Sequence, residues 1–124
     1  MVVAAADDID ELRHVSNLVY LRWALEVAHA HSDARGWTHE AYSRLGASWV
    51  VRRHEIDYLR SAKLGETIAL TTWIDERKRV SCVRKTELAD SQGRVLARLT
   101  TLWAFVDLST GRPTRIPDEV LNKF

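Results

Sequence analysis

The residues best suited to chemistry sit in one short stretch near the start of the chain. Asp7, Asp8 and Asp10 place three carboxylates within four positions, and His14 and Asn17 follow closely. Such an acidic cluster is usually a solvated turn, and that reading is expected for Asp7 and Asp8. Asp10 differs, because the chain must turn there to begin a helix, which puts its carboxylate near the positive end of the helix dipole. Backbone N–H groups at a helix start have no partner inside the helix, so they are free to stabilise negative charge.

Other reactive side chains are less well placed. Arg77, Lys78 and Arg79 form a cationic run at a break between two strand-like segments, and a run of that kind is ordinarily solvated. His29 and His31 lie two apart on a helix and cannot share a face, while His39 and His54 have no ligand-spaced partner, so no metal site is expected. Cys82 is the single cysteine and cannot form an intramolecular disulfide; in a strand with no nearby histidine it reads as a small core residue. Neither a G-x-S-x-G elbow nor a glycine-rich phosphate loop is present, so serine-hydrolase and nucleotide-binding readings have no support.

The element that must position Asp10 is the stretch from Leu18 to Ala30. Its apolar residues, Leu18, Val19, Tyr20, Leu21, Trp23, Ala24, Leu25, Val27, Ala28 and Ala30, leave only a narrow polar stripe at Arg22, Glu26, His29 and Asp33. A helix patterned in this way is expected to be buried on nearly every side. Ser16 or Asn17 can cap its start, and Gly36 can end it in a left-handed conformation. About eighteen residues at 1.5 Å each make a rod of roughly 27 Å.

Behind that helix the pattern changes. Residues 38–45 predict a short helix capped by Thr38 and stopped by Gly46. Four long β-rich segments follow, at residues 49–59, 67–74, 81–88 and 94–108, joined by short turns, before a short C-terminal helix near Pro117. Val2 to Ala6 predict a short first strand. Consecutive strands with hairpin-length links imply an antiparallel sheet, and a long sheet with one long helix is α+β. At 124 residues one domain, 1–124, is expected.

That architecture, together with the pattern Asp8-x-Asp10-x-x-x-His14-Val15-x-Asn17-x-x-Tyr20-Leu21, resembles the hotdog-fold acyl-CoA thioesterases of the 4-hydroxybenzoyl-CoA thioesterase type. The likeness extends to Tyr58-Leu59-Arg60 with Gly65 and to the tail WAFVDLSTGRPTRIP. It implies a sheet wrapped around a central helix, and hydrolysis of an acyl or aroyl thioester with no cofactor. Asp10 would be the nucleophile or general base, and the helix start near Asn17 would polarise the carbonyl.

His14 has a counterpart in plant acyl-ACP thioesterases, whose similar segment has Asp, Asn two positions on and His four positions on. Leu12 stands in the Asn position here, so His14 is expected to orient substrate or bond within the turn. The resemblance also implies CoA phosphate contacts at Arg77, Lys78 and Arg79, with Arg53 and Arg60 as weaker candidates. An acyl-CoA is the leading substrate; an acyl-ACP thioesterase, or a non-catalytic hotdog module that binds acyl-CoA or a protein partner, is the alternative. A homodimer or homotetramer is expected.

Composition narrows the partners. The net charge is +1, which gives no support for a nucleic-acid partner, and no apolar run approaches the roughly eighteen residues that a membrane helix needs, so no membrane partner is expected. The opening MVVAAADD lacks the basic start and long apolar core of a secretory signal, so a cytoplasmic location is expected.

Overall fold

The computed structural model describes residues 1–124 throughout. In chain order the elements are β1 (Val2–Val3), a 3₁₀ turn (Ala6–Asp8), α1 (Asn17–Ala34), α2 (His39–Leu45), β2 (Ala47–Tyr58), β3 (Thr67–Arg77), β4 (Ser81–Ala89), β5 (Val95–Asp107) and α3 (Asp118–Leu121). The strands form one sheet in the order β1-β3-β4-β5-β2, with every pairing antiparallel. This is the α+β architecture that the strand order and helix length imply.

An extra residue interrupts the register on β2 between Val51 and Arg53, on β3 between Ile74 and Glu76, and on β5 opposite Leu88 and Ala89. Such bulges bend a strand and increase its twist, which lets the sheet curve around α1. Along β4 burial alternates, with Cys82, Arg84, Thr86 and Leu88 turned inward. From α1, Val19, Tyr20, Trp23 and Ala24 pack with Ile68, Leu88, Leu96 and Leu99. A second apolar cluster joins Tyr42 of α2, Ala47, Phe105, and Ile116 and Val120 at the C-terminal end.

Several local features differ from the sequence expectation. Ser16, not Asn17, is the N-cap of α1, its hydroxyl accepting from the Leu18 N–H at 3.4 Å. Gly36, with φ +87°, ends the helix as expected. One face of α1 stays open in the single chain: Arg22, Glu26, His29 and Ala30 are exposed, and Leu18 is 78% exposed. The apolar pattern is therefore broader than the surface this chain covers. Asp75, Glu76 and Arg77 continue β3 instead of breaking it, so only Lys78, Arg79 and Val80 link β3 to β4. The charges in that stretch are tolerated because the end of β3 is exposed.

Asp8 is the largest departure. It is not solvated but 5% exposed. Its Oδ1 accepts from Arg22 Nη2 at 2.7 Å, and its Oδ2 accepts from the Ala5 N–H at 3.0 Å. Its carbonyl also accepts from the Ser16 N–H at 2.8 Å, so this one residue ties the N-terminal segment to both the cap and the side of α1.

The Ala5 N–H and then the Arg22 guanidinium hold the Asp8 carboxyl below its ordinary value of 3.8. A carboxyl depressed in the folded state contributes stability above its unfolded pKa and loses it as pH falls through the folded pKa. Asp8→Asn should therefore lower the urea midpoint at pH 7. The gap to the native protein should close as pH drops below about 4. A gap that stays constant down the pH series would show that the Asp8 charge does not stabilise the fold.

Candidate active site

The path from Ile9 to Val15 is a closed loop. Ile9 and Val15 form an isolated antiparallel bridge. Inside it the Asp10 N–H donates to the His14 carbonyl at 2.8 Å, and the Arg13 N–H donates back to the Asp10 carbonyl at 3.0 Å. Arg13 takes a left-handed conformation, φ +63°, to complete the turn. Val15 is pinned from outside, its N–H donating to the Ala62 carbonyl at 2.8 Å.

This loop holds the half-buried Asp10 carboxylate by one oxygen. Oδ1 accepts from the Leu12 N–H at 2.9 Å and the His14 N–H at 3.3 Å, while Oδ2 has no partner in the protein. The Asn17 N–H, the first of α1, also lacks an acceptor. A fixed carboxylate with one free oxygen thus lies just before a helix start with an unused donor, an arrangement able to activate water and stabilise an oxyanion.

Tyrosines brace this end of the helix. The Tyr58 hydroxyl donates to the Asn17 carbonyl at 3.1 Å, and the Tyr20 hydroxyl accepts from the Ala62 N–H at 2.8 Å. Burial pushes the Tyr20 phenol up, and the Asp10 charge adds to that shift. The His14 side chain is half-buried and makes no hydrogen bond; its contribution to the loop is its backbone. The Asn17 side chain is exposed and does not cap.

The cationic run lies elsewhere. Arg77 sits at the end of β3 and donates to the Phe124 carbonyl. Lys78 lies 3.8 Å from Glu76, and Arg79 is exposed. Arg77 borders a cavity that also meets Ala28 to Asp33, the last third of α1. Asn17 lies eleven residues of helix before Ala28, the start of that region, about 16 Å at 1.5 Å per residue. Within one chain, then, the cations and Asp10 are at opposite ends of the helix.

That cavity, of about 350 Å³, was not anticipated. Trp37, Trp49, Ile74, Trp103 and Leu121 contribute apolar wall, and Cys82 and Arg84 contribute polar groups. Burial pushes the Cys82 thiol up to about 11, which fits the inert core residue expected of it. Arg84 could have been suspected from its parity with Cys82, Thr86 and Leu88 on an alternating strand. Trp103 pairs with Cys82 across β4 and β5 and could be placed only once the register was known.

Residues 3–124 match the family model for the acyl-ACP thioesterase N-terminal domain. Among curated relatives, the chloroplastic acyl-(acyl-carrier-protein) hydrolase FATB3 of Cuphea viscosissima is 36% identical over 90 residues, 72% of this chain. The chain spans 22% of that relative's length. Among solved structures, one assigned as an oleoyl thioesterase in Lactobacillus plantarum superposes with a TM-score of 0.95 at 22% identity, over 99% of this chain and 48% of that one. The 1,4-dihydroxy-2-naphthoyl-CoA thioesterase Slr0204 of Synechocystis gives 0.90 at 14% identity, over 98% and 90%. At those identities the structures establish the hotdog fold. The sequence match goes further: the chain belongs to the acyl-ACP thioesterase N-terminal domain family.

Proposed function

We propose that this chain hydrolyses an acyl thioester, with Asp10 as the reacting group. The observation that carries the proposal is the Asp10 carboxylate, held at Oδ1 by two backbone N–H groups and free at Oδ2, in the loop that leads into α1 and its unused Asn17 N–H. The family of the chain supplies the reaction class. Oδ2 takes a proton from water as the water oxygen bonds to the thioester carbon; alternatively Oδ2 bonds to that carbon and displaces the thiolate, and water then cleaves the mixed anhydride, freeing the Asp10 carboxylate and supplying the thiolate's proton. The carbonyl oxygen gains negative charge, which the unused Asn17 N–H at the start of α1 stabilises. The C–S bond then breaks, the acid leaves, and the sulfur takes the proton.

Acyl carrier protein is the carrier we favour, because the family and the curated relatives are acyl-ACP thioesterases by name. Acyl-CoA is the second candidate, supported by the likeness to the naphthoyl-CoA thioesterase fold. For CoA the phosphate contacts would be Arg77, Lys78 and Arg79. Their distance from Asp10 within one chain means they would have to serve the Asp10 site of a second hotdog unit.

Release of free thiol from acyl-ACP and acyl-CoA panels tests the activity directly. Asp10→Asn keeps size and hydrogen bonding but loses the anionic oxygen, so kcat should fall about a hundredfold or more. His14→Gln retains the backbone N–H that holds Asp10 and should cost far less. Near-full activity in Asp10→Asn with loss in His14→Gln would transfer the chemistry to the histidine.

The Asp10 site is also incomplete in a single chain. Asp10 opens to the surface, and Leu12, Leu18 and Leu59, 75%, 78% and 50% exposed, lie around it with the half-exposed Tyr58. The twelve-residue β2 is an edge strand with one side unpaired. A second copy that extends the sheet and covers this apolar rim would form a homodimer, or a dimer of dimers. Sedimentation at micromolar concentration should give no less than twice 14.2 kDa. Leu18→Glu, which leaves the core intact, should weaken the assembly and the activity together; a fully active monomer would contradict this.

A further inference from the structure

The inner face of the sheet carries a polar row between its two apolar clusters. His54 Nδ1 lies 2.9 Å from Thr101 Oγ1, and Thr72 Oγ1 lies 3.2 Å from Thr86 Oγ1. Arg84, opposite Thr101 on β5, sits in this row and is only 6% exposed. Its Nη1 donates to Thr72 Oγ1 at 2.9 Å and to His31 Nδ1 at 3.1 Å. Both partners accept, because a guanidinium can only donate; burial, and then the Arg84 and Arg35 charges, push the His31 pKa down.

No carboxylate lies within ion-pairing distance of Arg84. Its Nε and Nη2 have no acceptor in the protein, yet neither is sealed off, because Arg84 lines the 350 Å³ cavity. A buried guanidinium with no counter-charge is costly, and its planar fork matches a carboxylate through two parallel hydrogen bonds. Trp103, on the same wall, has a buried Nε1–H with no partner. Among the other polar groups of the wall, Ser32 Oγ donates to the Trp37 carbonyl at 2.6 Å and Trp49 Nε1 donates to the Tyr42 hydroxyl at 3.0 Å, while the His29, His39 and Ser48 side chains make no hydrogen bond. Asp33 borders the cavity as its one carboxylate, exposed and outside pairing distance, while Arg77 adds a second cation.

We infer that this cavity binds a carboxylate carried on a compact apolar body, with the carboxylate on Arg84 and the body against Trp37, Trp49 and Trp103. The size of the cavity suits a small molecule. Its position about 16 Å along α1 from Asn17 sets it apart from the Asp10 loop at the other end of the helix. The inference does not depend on Asp10 being catalytic. A free carboxylic acid presents that group.

Sodium octanoate, titrated against the native chain by tryptophan fluorescence and calorimetry, tests this with octan-1-ol as the neutral control. Octanoate should bind saturably and about tenfold or more tighter than octanol, because only the anion meets the guanidinium. Arg84→Met should remove that preference without lowering Tm, since it replaces an uncompensated buried charge by an apolar chain of similar length. Arg84→Lys, which keeps charge but not the fork, should weaken octanoate less. Asp10→Asn should leave octanoate binding unchanged.

Equal affinity for octanoate and octanol overturns the inference, and so does octanoate binding that survives Arg84→Met or is lost with Asp10→Asn. If Arg84→Met fails to fold, the octanoate-to-octanol ratio on the native chain decides alone.

Discussion

A single buried carboxylate sets the geometry at the working end of this molecule. Asp8 reaches Arg22 on the side of α1, the Ala5 N–H behind it, and through its carbonyl the Ser16 cap. A buried ion pair contributes little net stability once desolvation is counted, but losing one partner leaves a charge stranded. Its effect is therefore on position. With Asp8 held to α1 on one side and Val15 to Ala62 on the other, the six residues between them have little freedom. Asp10 takes the one orientation in which Oδ1 meets two N–H groups.

The long helix then connects two unlike environments. At its N-terminal end the packing is apolar and dense around Tyr20 and Trp23, and the Asp10 carboxylate lies half-buried ahead of it. Toward its C-terminal end the sheet beneath it turns polar at Arg84, Thr86 and Thr101, and a cavity replaces close packing. Three inward polar residues on a core face cost burial energy unless they are satisfied. The threonines are bonded to one another, to Arg84 or to His54, whereas the Arg84 guanidinium is satisfied on one nitrogen alone.

Much of the frame was legible in the chain. The apolar period of residues 18–30, between Ser16 and Gly36, marks α1 to within a residue, because helix caps and left-handed stops are local properties. The four strands follow from β-branched runs between turn residues. What eluded the sequence is non-local. Asp8 looks solvated until Arg22, fourteen positions on, is folded beside it. Arg77 looks like part of a turn because charge runs mark breaks, yet an exposed strand end accepts them. Leu18 looks like core because periodicity reports how wide an apolar face is, and not which chain covers it. Asp10 was found through a motif, while Arg84 needed the strand parity and the register of three strands.

The account makes Asp10 the reacting group and the Asp8–Arg22 contact the device that places it, and a double-mutant cycle tests both at once. Arg22→Met removes the contact from a half-exposed side chain without opening the core. In the native background it should lower kcat while the protein stays folded. In an Asp10→Asn background it should cost nothing further, because there is no longer a reacting oxygen to misplace. Losses that multiply independently, or an Arg22→Met protein with undiminished kcat, would contradict the account.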